Sequence, residues 1–551
     1  MFFELVIKVG VVMEKKKIVL LIISFVASLL LGIGNILLSR KSIFNFCLFD
    51  LFSLAIYTGV FYFINLKLFT IFEKKNIVNN YKSEFSVKRF LIQWLIIFLL
   101  WIPVFLAYYP TIWAYDVAVQ TPSIIGNELN TFHPLIHTLF IDNIFSFGTK
   151  IGGYELGFVL LSIIQMIILS FCFAFSIEKI TTYMRNKKFN KVLRIALIVF
   201  YGIMPFNSIL SISMTKDVLF AGFFLVTFTL MYSIIKEDNI KKLKKSEIVL
   251  YIVFCTLTLL FRNNAIYAYL LFIFVIIILY FIQKQNKKIL LIFIIPIATY
   301  FITQNGMIYL TGAVRSKGKQ EMYSVPMQCL IGTTIKHQEL LPKYGKNKKL
   351  FGLVPRDAFS KNIKYDYNDY IADGIKSKWA QSTAIDDIKL IFTWIKYGFK
   401  YPGDYIDSWG KLVIGAWYPF DTTHANIYQN MDRQGYLLTD YKETLNFPKP
   451  ESKLKRLENQ LEEVATKNVH QKYPIISLIF APATYIWIIV FFMIFSIYNK
   501  LKKETIPLIF ILTLYFTILL SPTIVIRYMY PIIVVAPIVI TKFISRKVKG
   551  K

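Results

Sequence analysis

The sequence predicts an all-α polytopic membrane protein, and three observations carry that prediction. Of the 551 residues, 56% are hydrophobic and 17% aromatic, with a mean hydropathy of +0.53. Apolar runs of roughly 20 residues, the length that spans a bilayer, recur along the chain. Lysines and arginines crowd nearly every second gap between those runs, the asymmetry that orients helical membrane proteins. The period-two alternation of a barrel strand is absent, which removes the other structure able to satisfy its backbone in lipid.

The runs fall at 18–38, 43–65, 90–108, 156–177, 192–211, 218–235, 248–261, 265–283, 289–303, 474–497, 505–521 and 525–541, a count of about twelve spans. Basic residues cluster at Lys74–Lys75, Lys88–Arg89, Arg185–Lys187–Lys188, Lys241–Lys242–Lys244–Lys245, Lys284–Lys287–Lys288 and Lys500–Lys502–Lys503. The tail Arg546–Lys547–Lys549–Lys551 adds another cluster. All of them place both termini in the cytoplasm of a cell whose plasma membrane the chain crosses. Arg40–Lys41, in a short outer turn, is the exception. The first run follows Lys15–Lys16–Lys17 and lacks a small-residue cleavage site, so it reads as a retained span rather than a signal peptide. The net charge of +30 therefore reflects topology and attraction to anionic lipid, not a nucleic-acid partner. Four cysteines without CxxC spacing give neither a disulfide framework nor structural zinc.

Three parts follow: a bundle over 1–303, an external region over 304–473, and C-terminal spans with a basic tail over 474–551. Within the first, residues 109–154 form a long external loop. Pro110 to Asp116 and a Pro/Gly turn precede a semi-apolar stretch from His133 to Asp142. One or two short interfacial helices are expected there, with Trp113, Tyr115 and Phe132 at headgroup depth. The region 304–473 carries roughly +7 of the net charge. Ile388, Ile391, Phe392 and Ile395, and later Leu454, Leu457, Leu461 and Val464, follow the spacing of amphipathic helices. A mainly helical cap on the bundle is the expectation.

Polar groups in the basic-poor gaps are the candidates for chemistry. Asp116 sits among aromatics close after a span, where a carboxylate is costly without a role. It could deprotonate an acceptor hydroxyl or help hold a divalent cation; the alternative is a helix cap or a salt bridge. Asp217 is a second carboxylate on the same side, or the N-cap of the next helix. Arg262 and Arg527, at span ends, either snorkel to headgroups or clamp a phosphate, with Lys216 as an added point charge. His133 and His137 share a helical face near Asp142, yet HxxxH alone is a weak metal signal, so no metal ligand set is assigned. His133 is placed as a substrate contact, with Tyr115, Gln120, Asn263, Asn264 and Gln328. His337 and His424 are further acceptor contacts. No GxxxxGK[ST] loop or nucleophilic triad occurs, so ATP coupling within the chain is not expected.

Those residues resemble the GT-C superfamily of polytopic glycosyltransferases. The resemblance rests on Asp116 in the first long external loop, a second acidic position at Asp217, and Arg527–Tyr528 near the last spans. Tyr109–Asp116, His133–His137, Lys216–Asp217, Arg262–Asn264 and Ser324–Gln328 are also similar to a bacterial family of GT-C-like membrane proteins. The likeness runs from about residue 90 onward. It implies a GT-C-like bundle and a donor sugar carried on polyprenyl phosphate. It further implies Asp116 as acid–base and Arg527 as a contact to the carrier phosphate. The acceptor would be an envelope glycan or protein. Asp116 is followed by Val117, where many members carry a second acidic residue, which weighs against metal binding. Two other classes remain open: a flippase for a lipid-linked glycan, and a non-catalytic envelope-assembly protein.

Overall fold

A computed structural model describes residues 2–73, 83–112, 117, 120–122, 128–184, 186–236, 243–283, 288–316, 319–345, 348–380, 387–421 and 451–545. Asp116, Tyr115, Trp113 and His424 lie outside the described residues. So do Lys74, Lys75, Arg185, Lys241, Lys242, Lys284, Lys287 and the basic tail from Arg546.

About 80% of the structure is helical. The helices are α1 (Phe2–Arg40), α2 (Leu48–Glu73), α3 (Val87–Ala107), α4 (Leu135–Thr181), α5 (Lys187–Ile203), α6 (Pro205–Ser211) and α7 (Lys216–Lys236). They continue as α8 (Lys245–Phe261), α9 (Ala265–Gln283), α10 (Lys288–Thr311), α11 (Ser324–Lys336), α12 (Asp373–Ala380), α13 (Asp387–Lys400), α14 (Pro402–Leu412) and α15 (Ile414–Trp417). The last five are α16 (Lys455–Thr466), α17 (Pro474–Phe480), α18 (Pro482–Tyr498), α19 (Lys502–Ile518) and α20 (Ile526–Ile544). Two short strands, β1 (Lys349–Leu350) and β2 (Val354–Pro355), pair antiparallel.

Among the described residues, seven helices are long and apolar enough to cross a membrane: α1 from Lys15, α2, α3, α4, α7 up to Ile235, α10 from Ile289, and α20. Two bent pairs, α5 with α6 at 54° and α17 with α18 at 77°, bring the number to nine if each is one span. Three other apolar runs marked in the sequence form α8, α9 and α19, which are shorter. The protein is thus membrane-embedded, with a core in two classes of helix. α7 is apolar on all sides and buried along its span, packed by α4, α8 and α20. α2 is equally apolar but leaves Phe49, Phe52, Ile56 and Phe63 exposed, as a helix bathed in lipid does.

Local sequence sets several boundaries. Ser86 caps α3 by accepting from the Arg89 amide, and Asn186 caps α5 by accepting from Phe189. α4 is not the straight span expected from residue 156. It breaks at Gly152–Gly153, where Gly153 takes φ 76°, a conformation glycine reaches without strain. Its two arms fold against each other: Phe145 stacks on Phe158 with ring centroids 4.7 Å apart. A Cβ on Gly148 would stand 2.6 Å from the Gly157 Cα. The expected interfacial stretch is therefore a helical arm packed onto the bundle, with Ile141 and Phe145 buried.

Two ends of the bundle can be told apart by what lies there. At one, Lys16 pairs with Glu73 at 2.5 Å and Lys179 with Glu247 at 2.7 Å, and Lys542 sits 4.1 Å over the Tyr183 ring. At the other sit Asp217 and a lobe built from α11–α15. The lobe starts later than residue 304, because α10 runs on to Thr311. It has its own core, including Met327, Leu330, Ile331, Leu350, Val354 and Leu390. The Trp409 Nε1–H donates to the Leu519 carbonyl at 3.0 Å and the Ala372 amide to Pro522 at 2.7 Å. Asp407 accepts from the Ser42 hydroxyl at 2.6 Å and the Ile43 amide at 2.8 Å. The two expected amphipathic stripes behave differently. Leu457, Leu461 and Val464 of α16 pack on the bundle. Ile388, Ile391, Phe392 and Ile395 of α13 face outward, while Leu390 and Trp394 pack inward.

Candidate functional site

Three chain segments widely separated in sequence meet at Asp217. The first is the stretch leading into α7. Gln165, in the middle of α4, donates its amide to the carbonyls of Ser211 and Ser213, each at 2.9 Å, and of Leu210 at 3.4 Å. Those carbonyls lie at the end of α6 and in the break after it; Leu210 and Ser213 also accept from the Ser213 and Thr215 amides, and Gln165 adds a donor where an apolar interior offers no water. The break is held from the other side as well. The Ile112 amide donates to Ile212 at 3.0 Å, and the Met214 amide to Ile112 at 3.0 Å. The start of the long external loop is thus laced to the residues just before Lys216. α7 begins at Lys216, so Asp217 is in its first turn and not its N-cap. A carboxylate there is favoured by the amides and dipole of the helix start.

Asp217 is fully buried, and its Oδ1 accepts from Arg262 NH1 at 2.5 Å. Its Oδ2 stands 3.5 Å from Arg527 NH1 and has no hydrogen-bond partner among the described residues. Arg262 follows the last residue of α8, and Arg527 is in the first turn of α20. The Tyr528 ring lies 5.0 Å from both guanidinium carbons, and Phe220 stacks on the Arg262 guanidinium at 5.4 Å. Aromatic faces beside buried guanidinium planes keep them in place and weakly solvated.

The sequence candidates divide here. Asn264 accepts from Arg262 Nε at 2.7 Å and donates to Thr517 Oγ1 at 3.1 Å. It orients the arginine, a different task from the substrate contact expected of it. Asn263 donates to the Phe132 carbonyl at 3.0 Å, tying the loop after α8 to the loop before α4. Lys216 Nζ lies 3.1 Å from His133 Nδ1, so both join the cluster. Gln120 bonds His137 Nδ1 and Thr138 Oγ1, each at 3.1 Å, and His137 packs edge-on to Phe261. That pair sits one residue from Arg262. Gln328 does not join. It is buried in the lobe, donating to the Asn368 carbonyl at 2.6 Å. His337 is also elsewhere, 2.9 Å from Asp404. Among the described residues, no group of three or more His, Cys, Asp or Glu could hold a metal ion.

An apolar groove of about 340 Å³ lies between α4, α7 and α8. Ile136 and Phe140 of α4, Leu219 and Phe223 of α7, and Leu257 and Phe261 of α8 line it. Leu219 is two residues from Asp217, and Phe261 adjoins Arg262. Sequence reasoning missed this groove, Gln165 as the clasp, and Phe220, Thr517 and Tyr528 around the arginines. Apolar residues inside spans carry no individual signal of which ones line a cavity.

A second buried carboxylate lies at the opposite end and was also missed. Glu178, fully buried, accepts from Arg89 at 2.8 Å, Gln93 at 3.1 Å, the Ser86 amide at 2.9 Å, and Arg194. Arg194 also donates to Thr181 and Asn190. Both oxygens of Glu178 are satisfied, as expected of a structural staple.

A model of a family of unknown function, DUF6020, matches residues 126–551, so the chain belongs to that family. No curated protein and no solved structure matches it.

Proposed function

We propose that this member of the DUF6020 family is a membrane glycosyltransferase of the GT-C kind, which moves a sugar from a polyprenyl-phosphate carrier to an envelope glycan or protein. The observation that carries the reading is the convergence of Arg262 and Arg527 on the buried Asp217 carboxylate, with an apolar groove between α4, α7 and α8. A cationic pocket and a greasy channel suit a ligand with a phosphate head and a hydrocarbon tail.

In this reading the donor's tail lies in the groove and its phosphate between the arginines. The acceptor hydroxyl oxygen attacks the anomeric carbon as the bond from that carbon to the phosphate oxygen breaks. The hydroxyl proton passes to the Asp116 carboxylate, and polyprenyl phosphate leaves with the bond's electron pair. Arg262 and Arg527 stabilise the charge that grows on the leaving phosphate, which is the largest contribution a preorganised site makes. Asp217 positions the two guanidinium groups rather than accepting the proton. Ile112, bonded to Met214, brings the chain close to Lys216 just before Asp116 in sequence. In this reading there are about twelve spans, counting α8, α9 and α19, the lobe and the site face outward from a bacterial plasma membrane, and both termini are in the cytoplasm. The lobe would be the extracytoplasmic cap that holds the acceptor.

The test is transfer of radiolabel from polyprenyl-phosphate sugars, extracted from membranes, to endogenous acceptor. Wild type should transfer label, and Asp116→Asn at matched expression should lose at least roughly a hundredfold. Equal transfer by both removes Asp116 from the chemistry. Movement of the lipid-linked sugar across vesicles with no covalent product would replace the reading with a flippase.

A further inference from the structure

α13 combines two faces that a soluble helix does not. Leu390, Trp394 and Tyr397 form one face and pack into the lobe. Ile388, Ile391, Phe392, Ile395 and Phe399 form the opposite face, and it is exposed, at 67% for Ile388, 70% for Phe392 and 86% for Phe399. At the helical spacing of 100° per residue these five span about a third of the circumference. Lys389, Lys396 and Lys400 fall on one flank between the faces, at i, i+7 and i+11. Lys389 reaches the Gly352 carbonyl at 3.1 Å, and Lys400 lies over the Tyr401 ring at 5.2 Å.

Position identifies what covers the apolar face. α13 ends at Lys400, and α14 begins at Pro402. The Phe44 ring, in the turn between α1 and α2, is packed so closely on Gly403 that a Cβ there would meet it at 2.0 Å. Phe44, Phe46, Leu48 and Phe49 around that turn are exposed as well, and they lead into the lipid-facing side of α2. The exposed stripe of α13 therefore begins where the lipid-facing surface of the bundle ends.

We propose that α13 is an interfacial helix that lays its Ile388–Phe399 stripe into the bilayer surface at the Asp217 end, with the lysine flank among anionic headgroups. An apolar stripe bordered by lysines is the chemistry of a helix lying in the headgroup layer. Such a contact sets the height and tilt of the lobe over the membrane, since α13 and α14 both pack on α11.

Nitroxide labels report the depth. The full-length protein, with Cys47→Ser to remove the exposed thiol, is reconstituted in phosphatidylcholine/phosphatidylglycerol vesicles. Ile391→Cys, Phe392→Cys, Phe399→Cys and Lys396→Cys are labelled singly. Collision with oxygen, which partitions into lipid, is compared with collision with a water-soluble nickel chelate. The oxygen-to-nickel ratio should be severalfold higher at 391, 392 and 399 than at 396. Nickel dominating at 392 and 399 would mean a water-facing helix and would overturn the proposal. Low collision with both reagents would mean that protein covers the stripe, and would overturn it too.

Discussion

Glu178 and Asp217 are both fully buried carboxylates, each flanked by two arginines, yet they are not built for the same work. Glu178 takes hydrogen bonds from two arginines, a glutamine and a backbone amide, and all of these come from helices that enter the bundle at its basic end. Among the described residues Asp217 takes one hydrogen bond, from Arg262, and its second oxygen stands 3.5 Å from Arg527. An isolated buried charge is expensive, so a complete shell such as that of Glu178 fixes a structure. An incomplete shell leaves charge to be used. The difference teaches that burial and pairing alone do not mark a functional carboxylate. How many of its acceptor positions are filled separates the two.

The comparison can be broken most directly at Glu178. Glu178→Ala should leave Arg194 buried without its partner and cost about 3–5 kcal/mol, read as a lowered melting temperature in detergent. Asp217→Asn keeps an oxygen acceptor for Arg262 and should lose less stability than that, while losing transfer activity. If Asp217→Asn melts as early as Glu178→Ala, the two clusters are both structural and the contrast fails.

Gln165→Leu tests the clasp from behind. Three carbonyls lose the Gln165 amide, though those of Leu210 and Ser213 keep a backbone donor, so a stability loss of about 1–3 kcal/mol is expected. Because the clasp positions Lys216 and Asp217, activity should fall more than stability, and a parallel fall would make Gln165 purely structural. Arg527→Lys keeps the charge but not the fork. The expected result is a roughly tenfold drop in transfer with an unchanged melting temperature, whereas the matched Arg194→Lys should lower the melting temperature. Smallest is Phe223→Trp, which narrows the groove. It should raise KM for the lipid donor a few-fold with kcat unchanged, which is the pattern of lost ground-state binding. A fall in kcat alone would separate the groove from donor binding.

Much of the site is legible in the sequence because charge in an apolar chain stands out. Asp217, Arg262, Arg527, Lys216 and His133 all stand out in the sequence, and the fold brings Asp217 to both arginines and Lys216 to His133. Asn264 was marked for a substrate contact and instead orients Arg262. Gln328 was marked and lies in the lobe core. The sequence does not separate these placements, because a polar residue near a span end has the same pattern whether it faces a ligand or a neighbouring side chain. Glu178 escapes notice because it sits just past the end of an apolar run beside a basic loop, where it resembles ordinary juxtamembrane charge. Asp116 lies outside the described residues, and its role rests on sequence and on the proposed mechanism.

The amino-acid sequence by itself determined a helical membrane protein, the alternation of basic and basic-poor ends, and the short roster of charges to consider. Hydrophobic runs and charge sorting are one-dimensional properties, set by the cost of polar groups in lipid. Tertiary structure alone decided which charges meet, that α4 folds back on itself at Gly152–Gly153, and that an apolar groove lies between α4, α7 and α8. It also decided that the α13 stripe faces outward. Each of these depends on packing between segments far apart in the chain, where an i, i+3, i+4 pattern shows that a helix has two faces but not which one its neighbours will cover.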